Sequence, residues 1–599
     1  MAVDTLFTGG RIRTFDPAQP WAEALGVTDG RISYVGPAAD APAARRTVQL
    51  EGRLLTPGVA DTHNHLLLGF DDLAVSLDQV QSLDVVRARI AEFAEAHPEL
   101  DWICAENALY SVVEGRRPRA DDLVGVTDRP VFITTYDQHS VWLNRPALAK
   151  LGILGGGDIA WGNPEIDAAT GEPTGWVTDF YTSAMTIAGL AELQRDIPLY
   201  SPDRRYRKIT NSLEMAARSG ITSVVEPQVP LAELDLFARA EREGRLTSRT
   251  TAAIYHPVGA DGGFRARITE AIRETPQHDR FTLGPVKLYA DDVIEPHTAA
   301  MLEDYANRPG HRGRPSLEPI EFTKLFVELD RLGYQVHTHA TGDWGIRLTL
   351  DSIEAAQRAN ARSGASRDTR HGIVHVECLA PEDLPRFAEL GVVAAMQPRH
   401  ASPDLVAGTW MENVGEARWD RAWRFKSMIE SGARVTFSSD WQVGEMDPLI
   451  GLYSAMTRAR LDGGDAWTVD ERLDLDRALR AYTLGGAEAF HREHELGALR
   501  VGALADVVVW SGDLYAMEPA ELLEQRADLT VVGGSAIHDA RGELGGVAAA
   551  AHGQDPAGAG QTCAEPAAPA ASVAHAHAST HDHAHTHDHA HTHDHAHTH

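Results

Sequence analysis

Long apolar runs are missing from this 599-residue chain: no stretch approaches the ~18–20 residues that a membrane-crossing helix requires, so no membrane role is expected. Basic charge is also in deficit, with 55 Lys and Arg against 86 Asp and Glu and a formal net charge of −31. That balance repels a phosphate backbone, and no basic stripe offers counterion release, which argues against nucleic acid as a partner. Cysteine is scarce. Cys104, Cys378 and Cys563 are too few and too far apart for a disulfide framework and form no CxxC pair, so buried inert thiols are expected for the first two. The opening MAVDTLFTGGRIRTFDP lacks a basic segment followed by an apolar one, so it reads as strand and turn rather than an export signal, and a cytoplasmic location is expected.

What is present is the composition of a globular protein, 43% hydrophobic and 24% charged, in a chain longer than one core usually supports. Residues 1–57 and 491–546 share short β-prone stretches broken by glycine turns, and together predict one small β-sandwich built from both chain ends. Between them lie eight apolar, β-rich runs: LLTPGVADTHNH, GITSVVEPQ, RTTAAIYHP, LGPVKLYADD, GYQVHTHATGD, HGIVHVE, GVVAAMQPRH and ARVTFSSDW. Strands apolar on both faces and separated by helical patterns predict a parallel α/β fold, and eight of them close a (β/α)8 TIM barrel, placed at residues 58–490. The interval from about 70 to 219 is too long for one crossover and predicts an inserted cap subdomain over the barrel mouth. Residues 547–599 turn Ala, Gly and Pro rich and then histidine rich, with no periodicity, and are expected to be disordered.

Several polar residues stand where the apolar runs stop. In Asp61-Thr62-His63-Asn64-His65 the histidines are two apart, so an extended chain presents both to one side. The spacing fits a metal pair or simply a polar strand end. His339, His375 and Asp440 close three further runs, and in a parallel barrel such strand ends converge on one face. Four imidazoles and a carboxylate in one mouth suit Zn²⁺ or a similar divalent ion. Lys287, in PVKLYADD, reads either as a salt-bridged lysine or as an amine that has reacted with CO2 to give an anionic carbamate.

The ordered set TPGVADTHNH, VKLYADD, HTHATGD, VHVE and SSDW, followed by GALRVGALADVVVW, resembles the amidohydrolase superfamily, in particular its YtcJ-like branch. Within it, the length and the stretch VKLYADDVIEPHTAAMLEDYA are similar to N-substituted formamide deformylases; the resemblance spans about residues 1–545. It implies His63, His65 and Asp440 as ligands of one ion, His339 and His375 as ligands of another, and carboxylated Lys287 as the bridge. One or two ions fit this set, zinc first, with Mn²⁺, Ni²⁺ or Fe²⁺ as alternatives. The implied activity is metal-dependent hydrolysis of a C–N bond in a small-molecule amide, with Asp440 as general base, and deformylation of N-substituted formamides as the specific expectation. Asn64, where the motif usually has an apolar or small residue, is expected to point away from the ions, and His337 to pack a barrel layer.

Substrate contacts are expected from His139, Trp176, Glu226 and Trp441, each of which also has a structural reading: backbone hydrogen bonding for Glu226, packing for the tryptophans. An N-acyl amino acid, cyclic amide or carbamate is the alternative substrate class. Twelve of the 29 histidines lie between His575 and His599, a tract that reads equally as a metal-loading arm or as a solvated low-complexity tail. A metal-storage protein is therefore the competing class, although storage needs no ordered ligands on separate strands. A homodimer is compatible with a chain this large; nothing in the sequence demonstrates one.

Overall fold

The computed structural model describes residues 2–545 except Gln79, Glu114, Gly115, Asp137, Ser363, Ala365 and Ser366, with backbone only for Tyr181 and Thr182. The histidine tract, the disorder expected of it, and Cys563 lie outside the described residues. Among the described residues no helix is long and apolar enough to cross a membrane.

Each of the eight apolar runs supplies one parallel strand: β1 (Val59–Asp61), β2 (Ile221–Val229), β3 (Arg249–Tyr255), β4 (Phe281–Tyr289), β5 (Val336–Ala340), β6 (Gly372–His375), β7 (Val393–Met396) and β8 (Arg434–Phe437). They pair in sequence order, every ladder parallel, from β1 to β8. Every residue of β6 and β7 is buried, which is why these strands read as continuous apolar runs rather than alternating ones. β8 returns to β1 without a full ladder. Its seam is closed by Asp440 N donating to His63 O at 2.9 Å, His65 N to Trp441 O at 2.8 Å, and Thr62 Oγ1 to Phe437 O at 3.3 Å. The closing bonds thus come from the segments that carry candidate ligands.

The two chain ends form one mixed sheet, in the order Ser535–Asp539, Ala527–Val532, Val507–Trp510, Leu54–Pro57, Val3–Arg13, Trp21–Thr28 and Arg31–Gly36. Phe7, Ile12 and Leu25 share a core with Val507, Val509 and Leu529, as expected of a domain made from both ends. Arg249, at the start of β3, ties the barrel to this domain through a buried bidentate pair with Asp506, at 2.7 and 2.9 Å.

The insert carries its own six-stranded sheet, from Val75–Ser76 to Pro173–Thr178, and two cores of its own. The helix Pro202–Arg218, expected inside the insert, belongs instead to the barrel, because Ile209, Leu213 and Ala216 are part of the barrel core. The insert therefore ends near residue 200 rather than 219. The helix stops at Gly220, whose φ of 81° and whose approach to Val508 and Trp510 leave no comfortable room for a side chain. Its first turns bury three cations: Arg204 with Asp71 at 2.6 Å and Lys208 with Glu106 tie the helix to the cap, and Arg205 with Glu233 at 2.7 and 2.8 Å ties it to the loop after β2.

Candidate metal centre

Asp440 lies just past β8, and imidazoles from other strand ends surround its carboxylate. His63 Nε2 and His65 Nε2 approach Oδ1 at 3.4 and 3.3 Å, and His375 Nδ1 lies 3.7 Å from Oδ2. The His63 ring is 5.1 Å from both His65 and His375, and His339 is 4.4 Å from His375. Lys287 is fully buried within the barrel, with Nζ 5.1 Å from the Tyr289 ring, which stacks on His339 at 4.7 Å. His63, His65, His339, His375 and Asp440 thus meet in one cluster, and Lys287 adjoins it through Tyr289.

A second layer fixes the rings. His339 Nε2 faces the Asp292 carbonyl at 3.1 Å, an oxygen that also accepts from Thr341 Oγ1 at 2.6 Å. His375 Nδ1 lies 3.0 Å from Gln397 Oε1 on the segment after β7, and Gln397 Nε2 donates to Ser438 Oγ at 2.8 Å. Asp61 accepts from Ser439 Oγ at 2.6 Å, Ser439 N at 3.0 Å and Asn64 Nδ2 at 2.9 Å, which pins the His63–His65 segment to the end of β8. The Asn64 side chain is thereby turned to Asp61. Partners of this kind set the tautomer and orientation of a metal-binding imidazole.

Burial pushes the imidazoles toward their neutral form. The pKa values of His63 and His375 fall well below the usual range, and His339 falls to about 3. Neutral imidazole is the ligand form. Burial also lowers the Lys287 ammonium to about 7, so a large share of it is the nucleophilic amine near neutral pH. Asp440 moves the other way: burial opposes its charge, but His63, His65 and His375 outweigh that and hold it well below the ordinary carboxylate range. Lys287 Nζ, Asp440 Oδ1 and His63 Nδ1 are all buried without a hydrogen-bond partner. Native interiors rarely leave such groups unsatisfied, and this donor set has the chemistry to hold divalent cations. Among the described residues, two triplets have ligand atoms within 4.8 Å of one another: His63, His375 and Asp440, and His375, Glu377 and His400.

The residues expected to touch substrate separate into three groups. Glu226, fully buried, accepts from Leu67 N at 3.0 Å and Gln228 N at 3.2 Å, and lies 3.9 Å from His65 Nδ1, beyond a hydrogen bond but within electrostatic reach of it. Trp176 is not a platform at the mouth: it is 2% exposed inside the cap core, where its neighbours are Trp142 and Leu123. Trp142 and Trp161 are buried as well, while Tyr110 and Tyr136, 6.1 Å apart, carry the cap's exposed aromatic surface. His139 and Trp441 do lie at the mouth, His139 at 4.0 Å from Asp292 and Trp441 directly after Asp440. His337 is buried against Phe490, 5.3 Å away, in register with Lys287 and below the cluster. His400 and Glu377 join the cluster without having been singled out; His400 closes the run GVVAAMQPRH, but four residues past the end of β7.

A family model described as the amidohydrolase family matches residues 46–538. The chain belongs to the amidohydrolase family. Among curated amidohydrolase relatives and others, it is 27% identical to protein LONG AFTER FAR-RED 3 of Arabidopsis thaliana, over 85% of this chain and 88% of that one. It is 24% identical to the putative amidohydrolase YtcJ of Bacillus subtilis, over 89% and 99%. An N-substituted formamide deformylase of Arthrobacter pascens is 26% identical over 89% and 97%. The fold matches that of an uncharacterized metal-dependent hydrolase from Pyrococcus horikoshii with a TM-score of 0.69 at 22% identity, covering 86% of this chain and 98% of that one. The family match thus spans the barrel, the cap and the C-terminal strands of the end domain.

Proposed function

We propose that this amidohydrolase cleaves the C–N bond of a small amide, using divalent cations held by His63, His65, Lys287, His339, His375 and Asp440, with Lys287 carboxylated. The observation that carries the reading is the gathering of four imidazole nitrogens, from His63, His65, His375 and His400, within 3.3–3.7 Å of the Asp440 carboxylate, beside a buried lysine amine without a partner. Ions bound there supply Lewis acidity for a carbonyl and an acidified water near neutral pH.

The protein's own groups then divide the proton work. Asp440, held as a carboxylate, takes a proton from the attacking water as the C–O bond forms. As the C–N bond breaks, it returns that proton to the departing nitrogen. Glu226, Gln397 and the Asp292 carbonyl keep His65, His375 and His339 oriented throughout. The neutral Lys287 amine is the form that combines with CO2, and its carbamate replaces a cation at the cluster by an anion.

For substrate, the reading is an N-substituted formamide, hydrolysed to formate and a primary amine; the Arthrobacter relative bearing that name supports it. A formyl group offers only a hydrogen on the acyl side, so affinity has to come from the amine substituent in an apolar pocket. Tyr110 and Tyr136 are the cap residues suited to that contact. The test is a panel of N-substituted formamides, N-acyl amino acids and cyclic ureides, assayed with zinc or manganese added. Formate release from the first class is expected, and a metal-loaded protein that cleaves none of them contradicts the reading.

A further inference from the structure

His400 stands in the one-turn helix Arg399–Ala401 that follows β7. The turn is fixed from both sides. Arg399 binds Glu445 at 2.6 and 3.2 Å and Asp404 at 3.1 Å, and the Ala401 carbonyl accepts from Trp467 Nε1 at 2.6 Å. The His400 ring is 8% exposed and lies parallel to His375, 6.2 Å away. Its Nε2 is buried without a hydrogen-bond partner, 3.7 Å from Asp440 Oδ2 and therefore beyond hydrogen-bond reach of it. His63 and His65 crowd the other carboxylate oxygen, Oδ1. His400 thus faces the other side, Oδ2, of the residue to which the proton transfers are assigned, a side it shares with His375 Nδ1 at 3.7 Å.

A role as a further metal ligand fits less well. In the triplet it would complete with His375 and Glu377, Glu377 Oε2 is already taken up by Trp410 Nε1 at 3.0 Å. A rigidly held, buried and unpartnered imidazole nitrogen beside the general base has the placement of an electrostatic donor to the reacting group.

We propose that His400 is a further catalytic residue: its Nε2–H donates to the scissile carbonyl oxygen and holds the negative charge that develops there as water adds to the carbon. The inference rests on the hydrolytic reading above and deepens it. No bond to His400 forms or breaks, and its proton stays on Nε2 while the C–O bond forms and the C–N bond cleaves. The substrate class follows from this geometry: the bound molecule carries a carbonyl oxygen able to accept a second hydrogen bond, as in an amide, a formamide or a ureide.

The experiment compares zinc-loaded wild type, His400→Ala and His400→Gln on N-benzylformamide, measuring kcat, KM and bound metal per chain. His400→Ala is expected to lose about 10²–10³-fold in kcat, the scale of a lost oxyanion donor, with KM and metal content little changed. His400→Gln, which keeps an N–H at similar reach, recovers part of the loss. Full activity in His400→Ala overturns the proposal. So does loss of metal in step with activity, which makes His400 a ligand instead. Wild type that binds metal and hydrolyses neither this substrate nor any other amide of the panel overturns both readings together, an outcome distinct from the first two.

Discussion

Removing Glu233 tests how the first barrel loop is held. Arg205, 2% exposed, gives Glu233 two hydrogen bonds of 2.7 and 2.8 Å and a third, of 2.6 Å, to the Leu67 carbonyl. Leu67 N in turn donates to Glu226, which lies 3.9 Å from His65. Glu233→Leu strands a buried guanidinium, a loss of about 3–5 kcal/mol. At an unfolding entropy of about 2.1 cal/mol/K per residue, a cooperative unit spanning the described chain loses about 3–4 °C of melting temperature. Calorimetry on the metal-loaded protein measures it. The double variant Arg205→Met/Glu233→Leu buries no charge and regains most of the loss, because apolar replacement of a buried ion pair is close to neutral. A single variant that melts within 1 °C of wild type, or a double variant as unstable as the single one, refutes the reasoning.

Asp440→Asn is expected to keep the fold while losing at least about 10²-fold in kcat, the scale of general base catalysis, whereas a fully active Asn variant removes Asp440 from that role. Lys287→Ala is expected to lose activity that short carboxylic acids partly restore; unchanged rate and metal content show that Lys287 is no ligand. Because burial lowers Lys287 to about 7, its ammonium gives way to amine as pH rises through that value. CO2 uptake by metal-free protein, followed with labelled bicarbonate, therefore levels off above about pH 8, while an ordinary lysine of pKa ~10.4 still gains about tenfold per unit there. Glu226→Gln weakens the orientation of His65, and competition with a chelator is expected to show about 10–100-fold weaker metal binding. Unchanged affinity assigns Glu226 to the loop backbone alone.

The strand ends were the legible part of this sequence. Parallel strands are buried on both faces, so each appears as an unbroken apolar run, and a polar residue at its close is conspicuous: His339, His375 and Asp440 all stood out this way. Lys287 was harder, since one lysine in a strand has ordinary explanations; its full burial without a partner speaks against one of them, the salt bridge. Trp176 was misleading because cap and barrel each have their own core, and a tryptophan in a strand looks alike at a mouth and in a small core. His400 lies four residues past the end of β7, beyond Pro398, so the strand pattern had lapsed before reaching it. The closure between β1 and β8 was invisible, since it depends on Asp61, Ser439 and Asn64 meeting across 378 and 3 positions of sequence separation.

The central claim is that six strand-end residues hold divalent cations, one of them through a lysine carbamate. Anomalous diffraction at the zinc edge, from crystals grown with zinc and bicarbonate, tests it most directly. The account predicts one or two peaks about 2.0–2.3 Å from nitrogen or oxygen atoms of His63, His65, His339, His375 and Asp440, with carboxylate density continuous with Lys287 Nζ. No peak at this cluster in zinc-saturated crystals, or a peak with an unmodified Lys287 pointing away from it, contradicts that claim.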